Sequence, residues 1–286
     1  MNISKKYPNK RVVITGAGSG LGRALSLEFA KLGWKIGIVD INDAGSNETL
    51  KMVEQEGGQG EVFHTDVADP KAIKEMADHF FSMWQGVDIL VNNAGIAVVG
   101  AVGDVPLEQW KTIVDINFWG MLYGCHEFIP RMKPQGEGHI LNIASAAGLI
   151  SLSSMAPYNV TKAAIISLSE TLRVEVAPDN IDITVACPMF FNTGLLDDMK
   201  STDPWLEKVA QITFQKGHSA DKIAKKLIKA VAKNKLYVVP MFFGKLFWLN
   251  KRLAPNLYYN LTAWLNRHGW MRPLYSKLAK WGVLSK

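Results

Sequence analysis

The amino-acid sequence predicts an α/β fold, a doubly wound parallel sheet of about seven strands with helices on both faces. The first observation is that short apolar runs alternate with longer segments of helical periodicity, which is typical of successive βαβ units. The second is a glycine-rich turn between the first apolar run and the first helical segment. The third is size, since 286 residues with 48% hydrophobic side chains can bury one large core.

The predicted strands are short and rich in β-branched and other apolar residues. In chain order they are Arg11–Thr15, Lys35–Asp40, Gly60–His64, Val87–Asn92, His139–Ile143, Ile181–Cys187 and Leu236–Val239. Helices are expected in the gaps, because parallel neighbours in a sheet need a crossover connection. The N-terminus, Met1 to Lys10, is polar and leads directly into the first strand, without the apolar region of a secretory signal.

Residues 188–217 are the longest interruption in this alternation. They contain two prolines, several large apolar residues and mixed charges, so we expect a loop with short helices. A loop of this length inside a compact domain is usually functional. Ser219 then resembles the N-cap of a helix that runs through about Lys233.

The glycine-rich turn, Thr15 to Gly22, has the composition expected of a pyrophosphate site. Glycines allow a sharp turn and a close approach of the backbone, and the next helix offers free N–H groups and a positive dipole end. A plain tight turn is the alternative, but the position between a strand and a helix favours phosphate binding. The residues assigned to a cofactor on this ground are Gly16, Gly18, Ser19, Gly20, Leu21 and Gly22.

Asp40 closes the second predicted strand, 18 residues beyond Gly22. A carboxylate at this position can accept hydrogen bonds from an adenosine ribose, and it would repel a 2′-phosphate. Ser19 supplies no positive charge to compensate. These positions predict NAD as the cofactor and make NADP the less favoured alternative.

A tyrosine and a lysine four residues apart, Tyr158 and Lys162, lie in a predicted helix, thirteen residues after Ser145. Positions i and i+4 share one helix face, so the ammonium can lie beside the phenol ring. A phenol with a pKa of about 10 is a poor base at neutral pH, but a neighbouring cation favours its charged form. Such a tyrosine can exchange a proton with an alcohol or a carbonyl oxygen. On its own, a tyrosine–lysine pair at this spacing more often marks a solvated helix face or a tyrosine in the core. The catalytic interpretation therefore depends on the motifs that precede the pair in the chain.

Together these motifs resemble those of the short-chain dehydrogenase/reductase (SDR) family, over the stretch from Lys10 to Val239. The family's catalytic tetrad matches this chain in order and spacing at Asn117, Ser145, Tyr158 and Lys162. Its other nucleotide-contacting positions match Asp66, Val67, Asn93, Ala94, Gly95, Pro188 and Thr193. One departure is Met189, which stands where the family usually has glycine and adds apolar bulk.

The resemblance implies a Rossmann-like domain and an NAD(P)-dependent oxidoreductase that acts on CH–OH groups. The substrate hydroxyl would lie between Ser145 and Tyr158, and Tyr158 would transfer its proton. Lys162 would lower the pKa of the tyrosine and bind the nicotinamide ribose, while Asn117 would hold a water relay to Lys162. Thr193 would hold the nicotinamide carboxamide. The resemblance also implies a homo-oligomer, a dimer or a tetramer, assembled through the helices that contain Asn117 and Tyr158.

Residues 1–240 are therefore expected to form a single catalytic domain, with 188–217 as its substrate loop. The candidate substrate contacts are Ser145, Tyr158, Met189, Phe190 and Leu195. The loop carries further large apolar side chains at Leu196, Met199, Trp205, Leu206, Val209, Ile212 and Phe214. These side chains either pack the loop onto the body or roof an apolar pocket for a steroid-, retinoid- or fatty-type alcohol or ketone, and both interpretations stay open.

The extension over 241–286 is aromatic and basic. From Lys222 to the end of the chain there are 14 Lys or Arg and no Asp or Glu, whereas the first 221 residues carry a net charge of −8. No apolar stretch is long enough to span a bilayer, because Lys245, Lys251 and Arg252 interrupt it. Aromatic, basic, amphipathic segments suit a membrane surface. Folding back over the substrate loop and covering a partner subunit are the alternatives.

Other function classes are weaker. An NADP-dependent reductase of fatty-acyl or keto-lipid carbonyls stays open within the oxidoreductases. A cofactor-binding regulatory or scaffold protein without turnover is disfavoured, because all four tetrad residues are present. Nucleic acid is not an expected partner, because the basic residues are confined to the aromatic extension and no recognition motif accompanies them.

No metal site is expected, since none of the six histidines has ligand-like spacing. Cys125 and Cys187 lie in apolar stretches without metal-like spacing, so buried free thiols are the favoured interpretation. The expected location is the cytoplasm, with peripheral membrane contact through 241–286 as a hypothesis.

Overall fold

A computed structural model describes residues 2–192 and 199–285, and its central element is a parallel sheet. The strands are β1 (Arg11–Thr15), β2 (Lys35–Asp40), β3 (Gln59–His64), β4 (Ile89–Asn92), β5 (Val98–Val99), β6 (Gly138–Ile143), β7 (Ile181–Ala186), β8 (Lys200–Ser201) and β9 (Tyr237–Val238). Within the described residues the main sheet has seven strands in the order β3-β2-β1-β4-β6-β7-β9, and every pairing in it is parallel. The α/β prediction is therefore confirmed.

Helices connect the strands and cover both faces of the sheet. They are α1 (Ile3–Lys6), α2 (Gly20–Ala30), α3 (Asp43–Gln55), α4 (Pro70–Trp84), α5 (Leu107–Val114), α6 (Gly120–Met132), α7 (Ala146–Ile150), α8 (Ala156–Glu175), α9 (Pro204–Gln215), α10 (Ala220–Ala232), α11 (Phe242–Leu253), α12 (Pro255–Arg267) and α13 (Met271–Lys280). A π-helical turn, Asp115–Trp119, joins α5 to α6.

Alternate residues of each strand enter different cores, because successive side chains point to opposite faces of a sheet. In β1, Val12 and Ile14 pack into a core with Leu25 of α2. Val13 lies on the other face, in a core with Phe80 and Phe128. These strands are buried on both faces, which explains why they are continuous apolar runs in the sequence.

The order of the sheet reverses beside β1, which pairs with β2 on one side and β4 on the other. Val12 lies opposite Ile36 of β2 and Ile89 of β4. In open parallel sheets the crevice at such a reversal, outside the carboxyl ends of the strands, is where ligands bind. The glycine-rich turn follows β1 at this point, and the Asn93 segment follows β4.

The N-terminal residues differ from the sequence expectation, because they form a short helix instead of leading directly into a strand. Ile3 and Tyr7 are buried, and the Tyr7 hydroxyl hydrogen-bonds His139 Nδ1 at 3.1 Å. His139 Nε2 lies 2.8 Å from the Thr184 hydroxyl, which itself donates to the Lys235 carbonyl. Two apolar residues one turn apart were the signal for this helix.

The described part of the segment 188–217 contains a longer helix than predicted. Its helix α9 has 12 residues, with Asp203 as the N-cap that accepts from the Trp205 N–H at 2.9 Å. Pro204 was interpreted as a loop residue, but it occupies the first helical turn, where its missing N–H costs nothing. The short strand β8 pairs with β5, so the segment is joined to the chain that follows β4. The N-cap and helix predicted from Ser219 are confirmed by α10.

The extension folds back onto the body. Helix α11 packs against α7, and α13 packs against α9. Leu284 and Ser285 are buried, Leu284 in the same core as Ile14. Among the residues that the structure describes, no helix is both long and apolar enough to cross a bilayer.

Candidate active site

Ser145 and Tyr158 are brought together by two helix starts. Ser145 follows β6 and caps α7, where its Oγ accepts from the Ala147 N–H at 3.1 Å and donates to the Pro188 carbonyl at 3.3 Å. Tyr158 lies in the first turn of α8 and is buried. Both side chains line the same cavity. The hydroxyl of Ser145 is thus fixed beside the phenol on which the predicted chemistry depends.

Lys162 lies one helical turn beyond Tyr158, as its spacing predicts. Its Nζ is 5.6 Å from the centroid of the Tyr158 ring and donates to the Ile143 carbonyl at 2.9 Å. The lysine is buried and has no carboxylate partner among the ion pairs of the described residues. An unpaired ammonium in this position is available to an anion or a hydroxyl group in the crevice.

The pKa values of Tyr158 and Lys162 are both shifted by burial. Burial raises the pKa of Tyr158 to about 12, while the Ser145 side chain acts in the opposite direction. Burial also lowers the pKa of Lys162 to about 8, and the nearby Cys187 opposes that shift. The sequence led us to expect a pKa of Tyr158 lowered by Lys162, whereas the largest influence on this pKa is desolvation of the phenolate by burial.

Asn117 lies in the π-helical turn between α5 and α6, and such turns are frequent at functional sites. It is fully buried, and its amide makes two bonds with the backbone of Ile96: Oδ1 accepts from the N–H at 2.8 Å and Nδ2 donates to the carbonyl at 2.9 Å. A Cβ added to Gly95 would lie 3.0 Å from Asn117 Oδ1 and 3.5 Å from Lys162 Nζ. Asn117, Gly95 and Lys162 are therefore immediate neighbours.

Gly16, Gly18 and Gly22 of the glycine-rich turn lie where a side chain would collide with neighbouring atoms of the protein. The Gly18 N–H donates to Asp40 Oδ2 at 2.8 Å, and a Cβ at Gly18 would lie 2.9 Å from the same oxygen. A Cβ at Gly22 would collide with the Gly16 carbonyl, and Gly16 itself has a φ of +66°. Ser19 is the N-cap of α2 and makes no side-chain capping bond, which leaves the first-turn N–H groups facing the crevice.

The turn after β4 is tied to the glycine-rich turn. Thr15 Oγ1 accepts from the N–H groups of Asn93 at 3.0 Å and Ala94 at 3.2 Å. The Asn93 side chain donates to the Thr15 carbonyl at 2.9 Å and the Gly16 carbonyl at 3.1 Å. These bonds hold two strand ends together at the point where the sheet order reverses.

One cavity, of about 320 Å³, runs along this crevice. At one end it is lined by Gly16, Ser19, Gly20, Leu21, Asp40, Asp66, Val67, Asn93, Ala94 and Gly95. At the other end it is lined by Ser145, Tyr158, Lys162, Pro188, Met189 and Phe190. The cavity thus contains Ser145, Tyr158, Lys162 and most of the predicted cofactor positions, whereas the predicted residues Gly18, Gly22 and Asn117 do not line it. Thr193 and Leu195 lie outside the described residues.

The family model for the short chain dehydrogenase matches residues 10–204 of this chain. The chain belongs to the short-chain dehydrogenase family. It is an NAD(P)-dependent oxidoreductase that acts on CH–OH groups.

Three known proteins place this short-chain dehydrogenase among its relatives. It is 31% identical over 262 residues to the Mycobacterium tuberculosis protein SadH, whose name describes an oxidoreductase, with 90% of this chain and 95% of SadH covered. It is 32% identical over 238 residues to human epidermal retinol dehydrogenase 2, with 82% and 74% covered. A crystal structure of a Burkholderia phymatum short-chain dehydrogenase/reductase in complex with NAD superposes with a TM-score of 0.82 at 28% identity, covering 87% of this chain and 94% of that one.

The residues of this dehydrogenase fit a dinucleotide. Gly16, Ser19 and Gly20 of the glycine turn line the cavity, and the helix α2 begins at that turn without a side-chain cap. Thr65 Oγ1, at the Asp66 end of the cavity, is buried without a hydrogen-bond partner, so a polar group in the cavity could satisfy it. Asp40, the glycine turn and Lys162 would hold the two ends of the cofactor.

Several lining residues were not predicted from the sequence. They are Ile41, Thr65, Ile96, Ala97, Val99, Ile116, Ile150, Leu152 and Met155. Thr65 directly follows β3, so the rule that strand ends line the crevice could have found it. Leu152 and Met155 lie between α7 and α8, and nothing in their local sequence indicates that this connection borders the cavity.

The apolar side chains of the substrate loop divide between the two interpretations left open above. Met199 and Phe214 line the cavity, together with Phe191. Val209 and Ile212 pack against the core instead. Some apolar side chains of the segment therefore line the cavity, and others pack the segment onto the body.

Proposed function

We propose that this dehydrogenase transfers hydride between NAD and a secondary or lipophilic alcohol or ketone of steroid, retinoid or fatty type. The observation that carries the proposal is the composition of the cavity beyond Tyr158. Apart from Ser145 and Tyr158, the side chains lining that end are mostly apolar, including Met155, Met189, Phe190, Phe191, Met199 and Phe214. A sugar-like substrate would need more hydrogen-bonding partners than this lining offers.

The catalytic step requires the substrate oxygen to lie between Ser145 and Tyr158. In the oxidation direction Tyr158, as the phenolate, accepts the proton of the substrate hydroxyl, while Ser145 holds the oxygen with a hydrogen bond. In reduction the neutral Tyr158 donates its proton to the carbonyl oxygen. The bound nicotinamide supplies or receives the hydride at the substrate carbon.

Lys162 supports this proton transfer electrostatically. Its ammonium is 5.6 Å from the tyrosine ring and stabilises negative charge on the phenol oxygen. A buried ammonium with a pKa of about 8 is still mainly protonated at neutral pH. We assign Asn117 to the water relay that reaches Lys162, since Gly95 brings the two side chains close.

We assign the choice of NAD over NADP to Asp40. Its Oδ2 accepts from the Gly18 N–H and its Oδ1 from the Asn42 N–H at 2.9 Å, so the carboxylate is held in place at the cavity wall. A 2′-phosphate there would meet a fixed negative charge. This arrangement disfavours the alternative of an NADP-dependent reductase of fatty-acyl or keto-lipid carbonyls.

Two relatives bear on these choices. Human epidermal retinol dehydrogenase 2 is named for retinol, and the Burkholderia phymatum structure is a complex with NAD. We extend the retinoid-type substrate and the NAD cofactor to this chain. We also propose that 1–240 is the catalytic domain and that two or four copies assemble through the helices carrying Asn117 and Tyr158. The buried free thiols Cys125 and Cys187 are compatible with the cytoplasmic location we propose, with 241–286 at a membrane surface.

A series of secondary alcohols of increasing chain length tests the substrate proposal. Initial rates are followed by NADH absorbance with NAD, and separately with NADP. We expect kcat/KM to rise with chain length, because each added methylene buried in the cavity contributes roughly 0.8 kcal/mol, or about fourfold. A flat series, or a preference for a polyhydroxylated substrate, would contradict the proposal.

A further inference from the structure

Helix α11 has an apolar stripe on its outer face. Its inner face includes Phe243 and Phe247, which pack against the core. Its exposed apolar residues recur at intervals of four, three and four positions, at Phe242, Leu246, Leu249 and Leu253. Residues at this spacing share one helix face. The helix is therefore apolar on the side that contacts the protein and again on a stripe that faces away from it.

The pattern continues in α12. Leu257, Leu261 and Trp264 are exposed and recur at the same intervals. Leu257 lies in the first turn of α12, only four residues beyond Leu253 at the end of α11, so the two stripes meet at the junction of the helices. Trp270 and Trp281, farther along the extension, are also exposed. A continuous set of large exposed apolar residues is uncommon on a protein without a partner at that surface.

Charge indicates what the partner is. Lys245 and Arg252 are exposed on α11, Arg267 is exposed on α12, and no acidic residue follows Asp221. Apolar stripes bordered by cations, with tryptophans among them, match the interface of an anionic bilayer.

We propose that the outer stripes of α11 and α12, which we call the docking stripes (Phe242, Leu246, Leu249, Leu253, Leu257, Leu261 and Trp264), insert into the surface of an anionic lipid bilayer. The helices lie in the plane of the surface, with the leucines among the acyl chains and the cations at the headgroups.

The docking stripes lie on helices that also border the substrate end of the cavity. Lys251 Nζ donates to the Leu149 carbonyl at 2.6 Å, and the Tyr259 hydroxyl donates to the Ile150 carbonyl at 3.4 Å. Ile150 is itself a cavity residue. A membrane-dissolved substrate would thus enter beside α7, without crossing bulk water. This entry step rests on the proposed lipophilic substrate, whereas the docking step does not.

Helix α13 completes the border of that entrance. Tyr275 lies on this helix, which packs against α9. Its ring stacks on Trp205 of α9 at 6.4 Å between centroids, and the Trp205 indole donates to Ser276 at 3.2 Å. The extension therefore links the two walls of the substrate end and holds the docking stripes next to it.

Vesicle co-sedimentation of the full chain tests the docking step. The probes are vesicles of phosphatidylcholine alone and of phosphatidylcholine with phosphatidylglycerol. The key variant is Leu249→Glu, and the matched control is Met83→Glu, because Leu249 is 51% exposed and Met83 is 49% exposed on α4, in the body of the molecule. Circular dichroism and thermal unfolding show that each variant is folded.

We expect the wild type and Met83→Glu to sediment with the anionic vesicles, and Leu249→Glu to bind them at least about tenfold more weakly. Binding should also weaken with added salt. Equal partitioning of Leu249→Glu and the wild type would overturn the proposal. So would equal binding to both vesicle types, or a dimer in analytical ultracentrifugation that Leu249→Glu dissociates without any vesicle binding.

The entry step is tested separately, by activity. With a short water-soluble alcohol, Leu249→Glu should turn over like the wild type. With a long-chain alcohol embedded in the anionic vesicles, its rate should fall several-fold, and the Met83→Glu rate should not. Equal rates on the embedded substrate would refute entry from the membrane even if docking holds, whereas a lack of activity on every alcohol would count against the proposed function and leave the sedimentation result standing.

Discussion

The contact between Met189 and Gly244 predicts that the extension shapes the active site. Met189, which lines the cavity, is covered by α11 at its only glycine. A Cβ at Gly244 would lie 3.0 Å from both Cγ and Sδ of Met189 and 3.2 Å from Val239 Cγ1. A side chain larger than alanine would therefore push Met189 toward the cavity.

The predicted variant is Gly244→Leu. Overpacking of a close-packed site costs roughly 1 to 3 kcal/mol, which outweighs the gain of about 1 kcal/mol from replacing a helical glycine. We expect a lower midpoint of thermal unfolding and a raised KM for bulky substrates, with less change for a short alcohol. In Gly244→Ala the two effects nearly cancel, so that variant should stay close to the wild type.

A double-mutant cycle decides whether the effect passes through the methionine. Met189→Ala removes the side chain that Gly244→Leu displaces, so the double variant should recover stability and KM, with a coupling of about 0.5 kcal/mol or more. Additive losses in the double variant would refute the reasoning. So would an unchanged KM in Gly244→Leu.

Three further predictions concern Asp40, Ser145 and His139. Asp40→Ala should lower the kcat/KM for NAD by roughly tenfold or more and reduce the preference for NAD over NADP, because one fixed carboxylate is removed. An unchanged ratio of kcat/KM for NAD to kcat/KM for NADP would contradict the role of Asp40. Ser145→Ala should lower kcat by about a hundredfold to a thousandfold with little change in NAD binding, measured by fluorescence titration. A loss confined to NAD binding would contradict the role of Ser145. Burial lowers the pKa of His139 from its ordinary 6.5 to about 3. The free energy of unfolding that the neutral His139 contributes is therefore complete above pH 6.5 and is lost as the pH falls toward 3, at up to about 1.4 kcal/mol per pH unit. Denaturant unfolding against pH should show a shallower acid slope in His139→Phe, and equal slopes would contradict the buried, neutral assignment.

The fold could be predicted from the sequence because its signals are local. Strands buried on both faces are continuous apolar runs, and the glycine turn stands at the one place where β1 gives way to a helix. The catalytic spacing is local as well, since Tyr158 and Lys162 share one helix face. Tyr158, Lys162 and part of the glycine turn line one cavity.

The remaining features depend on contacts between distant parts of the chain. The pairing of β5 with β8 rests on two residues in each strand, too few to give a periodic pattern. The raised pKa of Tyr158 comes from burial by elements far apart in sequence. The direction in which 241–286 folds is set by side-chain contacts such as Trp205 with Tyr275, and composition alone could not distinguish a membrane surface from the substrate loop.

The central claim is that Tyr158 transfers the proton when hydride moves between NAD and an apolar alcohol. Its most direct test is Tyr158→Phe, assayed by NADH absorbance on a long-chain secondary alcohol, with NAD affinity measured in parallel by titration. We predict retained NAD binding and a kcat lower by about a hundredfold to ten-thousandfold, the usual contribution of a positioned acid or base. Full turnover in this variant would contradict the account.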